Sequence, residues 1–217
     1  MHRLVYDEGD LRVLDVEIPP GATTLYHTHD AAIAYVPIDT SPTDNQVLGG
    51  EWEGTKSTDP PRFSVGIVTW NLGYASTPLT HRVKNVGEGN FRLIAVVNYS
   101  PGSNREVPAH VLGGEVEQAC RWFRWRQITL TPGERLDGTT GANRIVAVQI
   151  DPGRVSVTSR TTATLVRPGD FIVLDTNGRF TLESSSPESI DLCAVEVATP
   201  TRTPANRSRT SRPVSER

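Results

Sequence analysis

The sequence predicts an all-β protein, and three observations carry that prediction. Apolar and polar residues alternate over short stretches such as residues 13–18, Gly and Pro punctuate those stretches at short intervals, and no segment repeats its apolar residues at the 3.6-residue period of a helix. The pattern also begins again. Ile128-Thr129-Leu130-Thr131-Pro132-Gly133 has the form of Val16-Glu17-Ile18-Pro19-Pro20-Gly21 at an offset of 112 residues, so the chain reads as two related halves. A length of 217 residues, 36% hydrophobic and 22% charged, is enough for one large or two small globular domains.

Taken in order, residues 13–18 form a half-buried strand and Pro19-Pro20-Gly21 turns the chain. The turn leads into His27-Thr28-His29. On a strand, side chains at i and i+2 share a face, so both imidazoles can reach one point, whereas on a helix they would diverge. Residues 31–38 are a second apolar run with Ile, Val and Tyr. Residues 39–62 are long and polar and read as an insertion at the mouth or edge of a barrel. Residues 63–70 and 91–97 read as strands, the second apolar enough for a wall buried on both faces.

Neutral imidazole suits Zn, Cu, Fe and Ni, but a stable site usually needs three or four protein ligands. His81 is the candidate third ligand. The chain has five histidines, and the other two, His2 and His110, sit at a terminus and in an irregular stretch. An antiparallel sheet could bring His81 beside His27 and His29.

Gly21, five residues, His27-x-His29, and later His81, three residues, Asn85 resembles the two motifs of the cupin superfamily, whose members are double-sheet jelly-roll barrels that often hold one metal ion. Ser76 and Pro78 stand where that family usually has Pro and Gly. Ile33 and Ala34 occupy the positions of its usual glutamate ligand. The resemblance therefore implies a metal site reduced to His27, His29 and His81, with Asn85 just behind the ligands. Asp30 should point to the face opposite His29. Such a three-His set is similar to those of thiol dioxygenases and diketone-cleaving cupins, which bind ferrous iron and keep positions open for substrate and oxygen. It implies a divalent ion, Fe(II) first and Zn, Mn or Ni as alternatives, in an oxygenase-like enzyme acting on a small polar molecule. Tyr35, Trp70 and Arg92 are candidate pocket residues, Arg92 as a two-pronged partner for a carboxylate. A small-ligand-binding or structural bicupin without turnover is the alternative.

On this reading residues 1–100 form the domain with the metal motif, 101–120 a linker, 121–198 a degenerate second cupin-like half, and 199–217 a disordered basic tail. In the second half Thr139 and Gly141 stand where His27 and His29 stand in the first. The net charge of −3 is uneven: from Thr199 five arginines face one glutamate, giving +4, which leaves −7 for the body and argues against a nucleic-acid protein. Arg121-Trp122-Phe123-Arg124-Trp125-Arg126 could stack bases, but a packed connection between the halves with cation–π contacts explains it better. Cys120 and Cys193 read as free buried thiols. No apolar run approaches the length of a membrane span, and residues 1–7 lack the pattern of a signal peptide, so a cytoplasmic protein is expected. Pairing through apolar edge strands would make a homodimer.

Overall fold

The computed structural model describes residues 2–54, 63–102 and 116–199. His110, most of the expected linker and nearly all of the expected basic tail lie outside the described residues. In the first half the strands are β1 (His2–Glu8), β2 (Leu11–Ile18), β3 (His27–His29), β4 (Ala32–Asp39), β5 (Thr43–Val47), β6 (Thr69–Asn71), β7 (Leu79–Asn85) and β8 (Phe91–Asn98). The second half contains β9 (Gln118–Ala119), β10 (Phe123–Leu130), β11 (Arg135–Thr139), β12 (Arg144–Gln149), β13 (Val155–Thr158), β14 (Thr162–Leu165), β15 (Phe171–Leu174), β16 (Arg179–Ser184) and β17 (Ile190–Val197). A short 3-10 helix, Gly73–Ala75, is the only helical element among the described residues, and no helix there is long and apolar enough to cross a membrane.

Each half builds a larger and a smaller antiparallel sheet, the double-sheet jelly-roll arrangement. The first half has β1-β2-β8-β4-β6 against β3-β7-β5, and the second β15-β12-β17-β10-β9 against β11-β16-β13-β14. Gly21 and Gly133 both have φ +73, a left-handed conformation that glycine adopts without a Cβ clash, so the two proline-glycine turns share a backbone shape as well as a sequence.

The two-residue period of the strands explains why β4 and β8 are apolar throughout. On β8, Phe91, Leu93, Ala95 and Val97 face the interior of the first barrel, whereas Ile94 and Val96 face the second half. Ile94 and Val96 join Val13, Val36, Phe123, Trp125, Val146 and Val195 in one continuous seam between the two large sheets. Fully burying each large apolar side chain contributes about 1.5–3 kcal/mol. A surface ion pair contributes about 0–1 kcal/mol, so the seam and not surface charge holds the halves together. The second barrel is filled by its own side chains, among them Leu130, Ile145, Phe180, Leu182 and Leu192. Gly138 makes room for that filling, because a Cβ there would lie 2.4 Å from the Phe180 ring.

The aromatic-arginine stretch divides by the same parity. Phe123 and Trp125 enter the seam, while Arg124 and Arg126 are buried on the opposite face, where an Arg126 Nη2–H donates to Glu196 Oε1 at 3.3 Å. The Arg121 guanidinium lies 4.5 Å over the Trp122 ring.

Two sequence expectations are corrected. Residues 63–70 do not form one strand: Gly66 takes φ +74 in a turn closed by Ile67 N–H to Ser64 O, and pairing is confined to β6. Residues 39–54 are not merely an insertion, because β5 pairs along β7 from Thr43 opposite Asn85 to Val47 opposite His81. Its sequence, Thr-Asp-Asn-Gln-Val, is polar because an edge strand over a barrel mouth buries little.

Candidate metal centre

The turn at Gly21 places the histidine strand. Gly21 N–H donates to Asn85 O at 3.1 Å and Thr24 N–H to Val83 O at 2.8 Å, so the chain is already laid along β7 before β3 begins. After a one-residue shift from that register, β3 sets His27 opposite His81 and His29 opposite Leu79. Residues paired across a ladder share a face, as do residues two apart, so all three imidazoles point to the barrel interior. Thr28 and Thr80 lie on the other face, where their hydroxyls meet at 2.8 Å.

The three rings converge. Their centroids are 4.7 Å (His27 to His81), 4.8 Å (His27 to His29) and 4.9 Å (His29 to His81) apart, and one nitrogen from each falls within 4.8 Å of the others. Among the described residues no other group of three or more His, Cys, Asp or Glu gathers so closely, and no carboxylate belongs to this one. Asp30 follows His29 at the cavity wall but is not in the set.

Each ring is held. His27 Nδ1–H donates to Leu25 O at 2.9 Å, and His81 Nδ1–H donates to the Asn45 side-chain oxygen, so both rings carry their lone pair on Nε2. Asn45 is itself oriented by donating from Nδ2 to Glu53 Oε1 at 2.8 Å. His29 stacks on the buried Tyr74 ring at 4.9 Å and 14°, and its Nε2 lies 2.9 Å from His81 Nε2. Two nitrogens bound at right angles to one ion at about 2.1 Å would stand about 3.0 Å apart, so this spacing suits adjacent ligands on one metal. Burial, with His27 and His81 alongside, pushes His29 down to about 3, and burial also lowers His27. Both rings are therefore neutral near pH 7, the state in which imidazole binds metal. The donor set fits a divalent ion.

Behind the histidines lies a cavity of about 480 Å³. Its walls are mostly apolar and include Leu14, Val16, Ile33, Phe63, Phe91 and Leu93. Tyr35 is on this wall, edge-on to Phe63 at 5.9 Å, and Phe63 is in turn edge-on to Phe91 at 5.6 Å.

Trp70 and Arg92 do not line the cavity. Trp70 pairs with Ala34, whose side chain faces the seam, so Trp70 faces it too and stacks on Phe123 at 6.4 Å. Arg92 lies on the outward face of β8. It grips Asp15 with Nε–H to Oδ1 at 3.0 Å and Nη2–H to Oδ2 at 3.2 Å, and reaches Pro168 O of the second half with Nη1–H at 3.0 Å. Gly169, at φ +83, leaves room for that guanidinium, since a Cβ would stand 2.9 Å from Arg92 Cζ.

Asn85 is also corrected: it does not support the histidines. Its Nδ2 donates to Ile18 O and Gly89 O, each at 2.8 Å, and its Oδ1 accepts from Ser41 Oγ and Gly87 N–H, so it ties together the turns at the far end of β7. The residue that supports a histidine is Asn45, which the sequence reading passed over. Outer partners of metal-bound histidines are generally worth about 10–100-fold in affinity. Asn45→Ala should therefore weaken Co(II) binding by about that factor in a calorimetric titration, and an unchanged affinity would show that His81 needs no such support.

No family model matches the sequence, and no curated protein matches it. Among solved structures, the chain is similar to AerE from Microcystis aeruginosa, with 10% identity over 88% of this chain and 89% of that one and a TM-score of 0.58. It is similar to salicylate 1,2-dioxygenase from Pseudaminobacter salicylatoxidans, with 12% identity over 87% and 71% and a TM-score of 0.55. A third likeness is to YhaK from Escherichia coli, with 16% identity over 91% of each chain and a TM-score of 0.54. At such identities the likeness is one of architecture.

Proposed function

We propose that this chain, which has the cupin fold, is a metal-dependent enzyme of oxygenase type whose substrate is a small molecule with a chelating polar end and a largely apolar body. The observation that carries this reading is the convergence of His27, His29 and His81 at the wall of an apolar cavity of about 480 Å³. A divalent ion held there by three neutral imidazoles, ferrous iron first and zinc, manganese or nickel as alternatives, would keep its full charge for polarising a chelating substrate and, as iron, would supply oxygen activation.

The chain's own residues do the rest. Leu25 O and Asn45 fix the tautomers of His27 and His81 so that Nε2 faces inward, and Tyr74 fixes the plane of His29. Phe63, Phe91 and Tyr35 offer edges and faces to a flat or branched apolar body and exclude water from its surroundings. The polar substrate expected from the sequence is thereby narrowed: polarity is required at the end that meets the histidines, while the wall calls for an apolar body. Support in kind comes from the architectural likeness to salicylate 1,2-dioxygenase, one structure of which is an adduct with gentisate. We read the second half as a cupin-like barrel without ligands, whose packed interior leaves it the task of covering the first.

The test is oxygen uptake by iron-loaded protein across a panel of hydroxylated aromatic acids, diketones and 2-hydroxy acids. Uptake with an aromatic or diketone member, abolished in His27→Ala, supports the reading. Ile33 stands where the resembled family carries its carboxylate ligand and lines the cavity with an apolar side chain, which favours a second reading, a ligand binder without turnover. Saturable binding of a panel member with no oxygen consumed under any metal would establish that second reading instead.

A further inference from the structure

A fourth histidine faces the same space. His2 opens β1 and pairs with Val16 of β2, a residue on the cavity wall, so the rule that paired residues share a face turns His2 inward as well. Its ring packs on that of His27, centroids 4.0 Å apart and planes tilted by 48°, and its nitrogens stand beside, not within, the converging set of His27, His29 and His81. β1 is the outer strand of its sheet and pairs on one side only, and its register shifts between Leu4 and Tyr6. β3 is likewise an edge strand, held to β7 by three residue pairs, whereas β1 is held to β2 by six, the first of them at His2.

We propose that His2 is a fourth nitrogen ligand of the centre, supplied from an edge strand and standing in for the carboxylate that this chain lacks at Ile33. The inference rests on the metal reading of His27, His29 and His81. A neutral fourth donor leaves the charge of the ion unreduced, as a carboxylate would not. It also bears on which metal can work: a six-coordinate ion with four imidazoles keeps two positions for a bidentate substrate, whereas four-coordinate zinc would be closed.

The test uses the untagged full chain loaded with Cu(II) or Co(II), alongside His2→Ala, His2→Gln and His81→Ala. Pulsed EPR on the Cu(II) protein counts bound imidazoles, and titration with Co(II) gives affinity. The expected result is a loss of one imidazole from the wild-type count in both His2 variants, with Co(II) affinity lowered about tenfold or more, the scale on which even outer partners act. Far-UV circular dichroism of the metal-free variants checks that the fold is retained. An unchanged imidazole count in both His2 variants, with binding lost in His81→Ala, would overturn the role of His2 and leave the three-His centre standing. A loss of affinity in His2→Ala that His2→Gln restores would assign His2 to packing and equally overturn the proposal. Failure of the wild-type protein to bind either ion would overturn both readings.

Discussion

Replacing His81 with alanine is expected to take bound metal from near one equivalent to near none while the fold survives. The three-nitrogen set depends on it. His27 and His29 come from one three-residue strand, and His81 alone brings a ligand from across the ladder, on a ring oriented by Asn45. Of the converging set only His27 and His29 would remain, fewer than the three ligands of a stable open site, and even with His2 counted the centre loses the ligand that closes it across β3 and β7. The fold should tolerate the change because β7 keeps its backbone pairing with both β3 and β5, and the lost ring already borders a cavity. Elemental analysis of untagged wild-type and variant protein, with thermal unfolding of both after chelation, measures the two halves of this expectation. Equal metal content in the two proteins would remove His81 from the site.

Phe123→Ala is expected to destabilise the protein by about 3–5 kcal/mol, the usual range for removing a buried aromatic ring from a core. Phe123 is fully buried and stacks on Trp70 across the seam, amid valines and isoleucines contributed by both large sheets. Because each half uses the other to bury one face of its large sheet, the halves should unfold together. Urea unfolding followed by tryptophan fluorescence, with Trp70 on one side of the seam and Trp125 on the other, should show a single transition that moves to lower urea in the variant. A cost below about 1 kcal/mol, within the reach of an ordinary surface substitution, would mean that the seam does not join the halves.

Much of this arrangement was legible because strands write their geometry in a two-residue period. The alternation of residues 13–18 marks β2, the continuous apolar runs mark β4 and β8, and His27-x-His29 has meaning only on a strand. What the alternation did not reveal is which face of a strand is inside. Tyr35 and Ala34 are neighbours on β4, and their opposite directions decide that Tyr35 meets the cavity while Trp70, paired with Ala34, meets the seam. Arg92 follows the same parity outward to Asp15.

Other features left little trace in the sequence. β5 is a polar edge strand with no alternation to read, so Asn45 had no mark of its own before its register with β7 was known. Asn85 has the spacing of a residue near the ligands, yet its amide is consumed by two backbone carbonyls, a hydroxyl and a backbone N–H of the surrounding turns. His2 looked isolated at a terminus, and only the pairing of β1 with β2 brings it to His27. In each case the missing information was long-range register, which local propensity does not carry.

The most direct test of the three-His centre is anomalous X-ray scattering, collected at the absorption edge of the metal, from crystals of the metal-loaded protein. The account predicts one strong peak, about 2.0–2.2 Å from Nε2 of His27, His29 and His81, facing the apolar cavity. A fully loaded protein whose peak lies elsewhere, or reaches fewer than all three of these nitrogens, would contradict it.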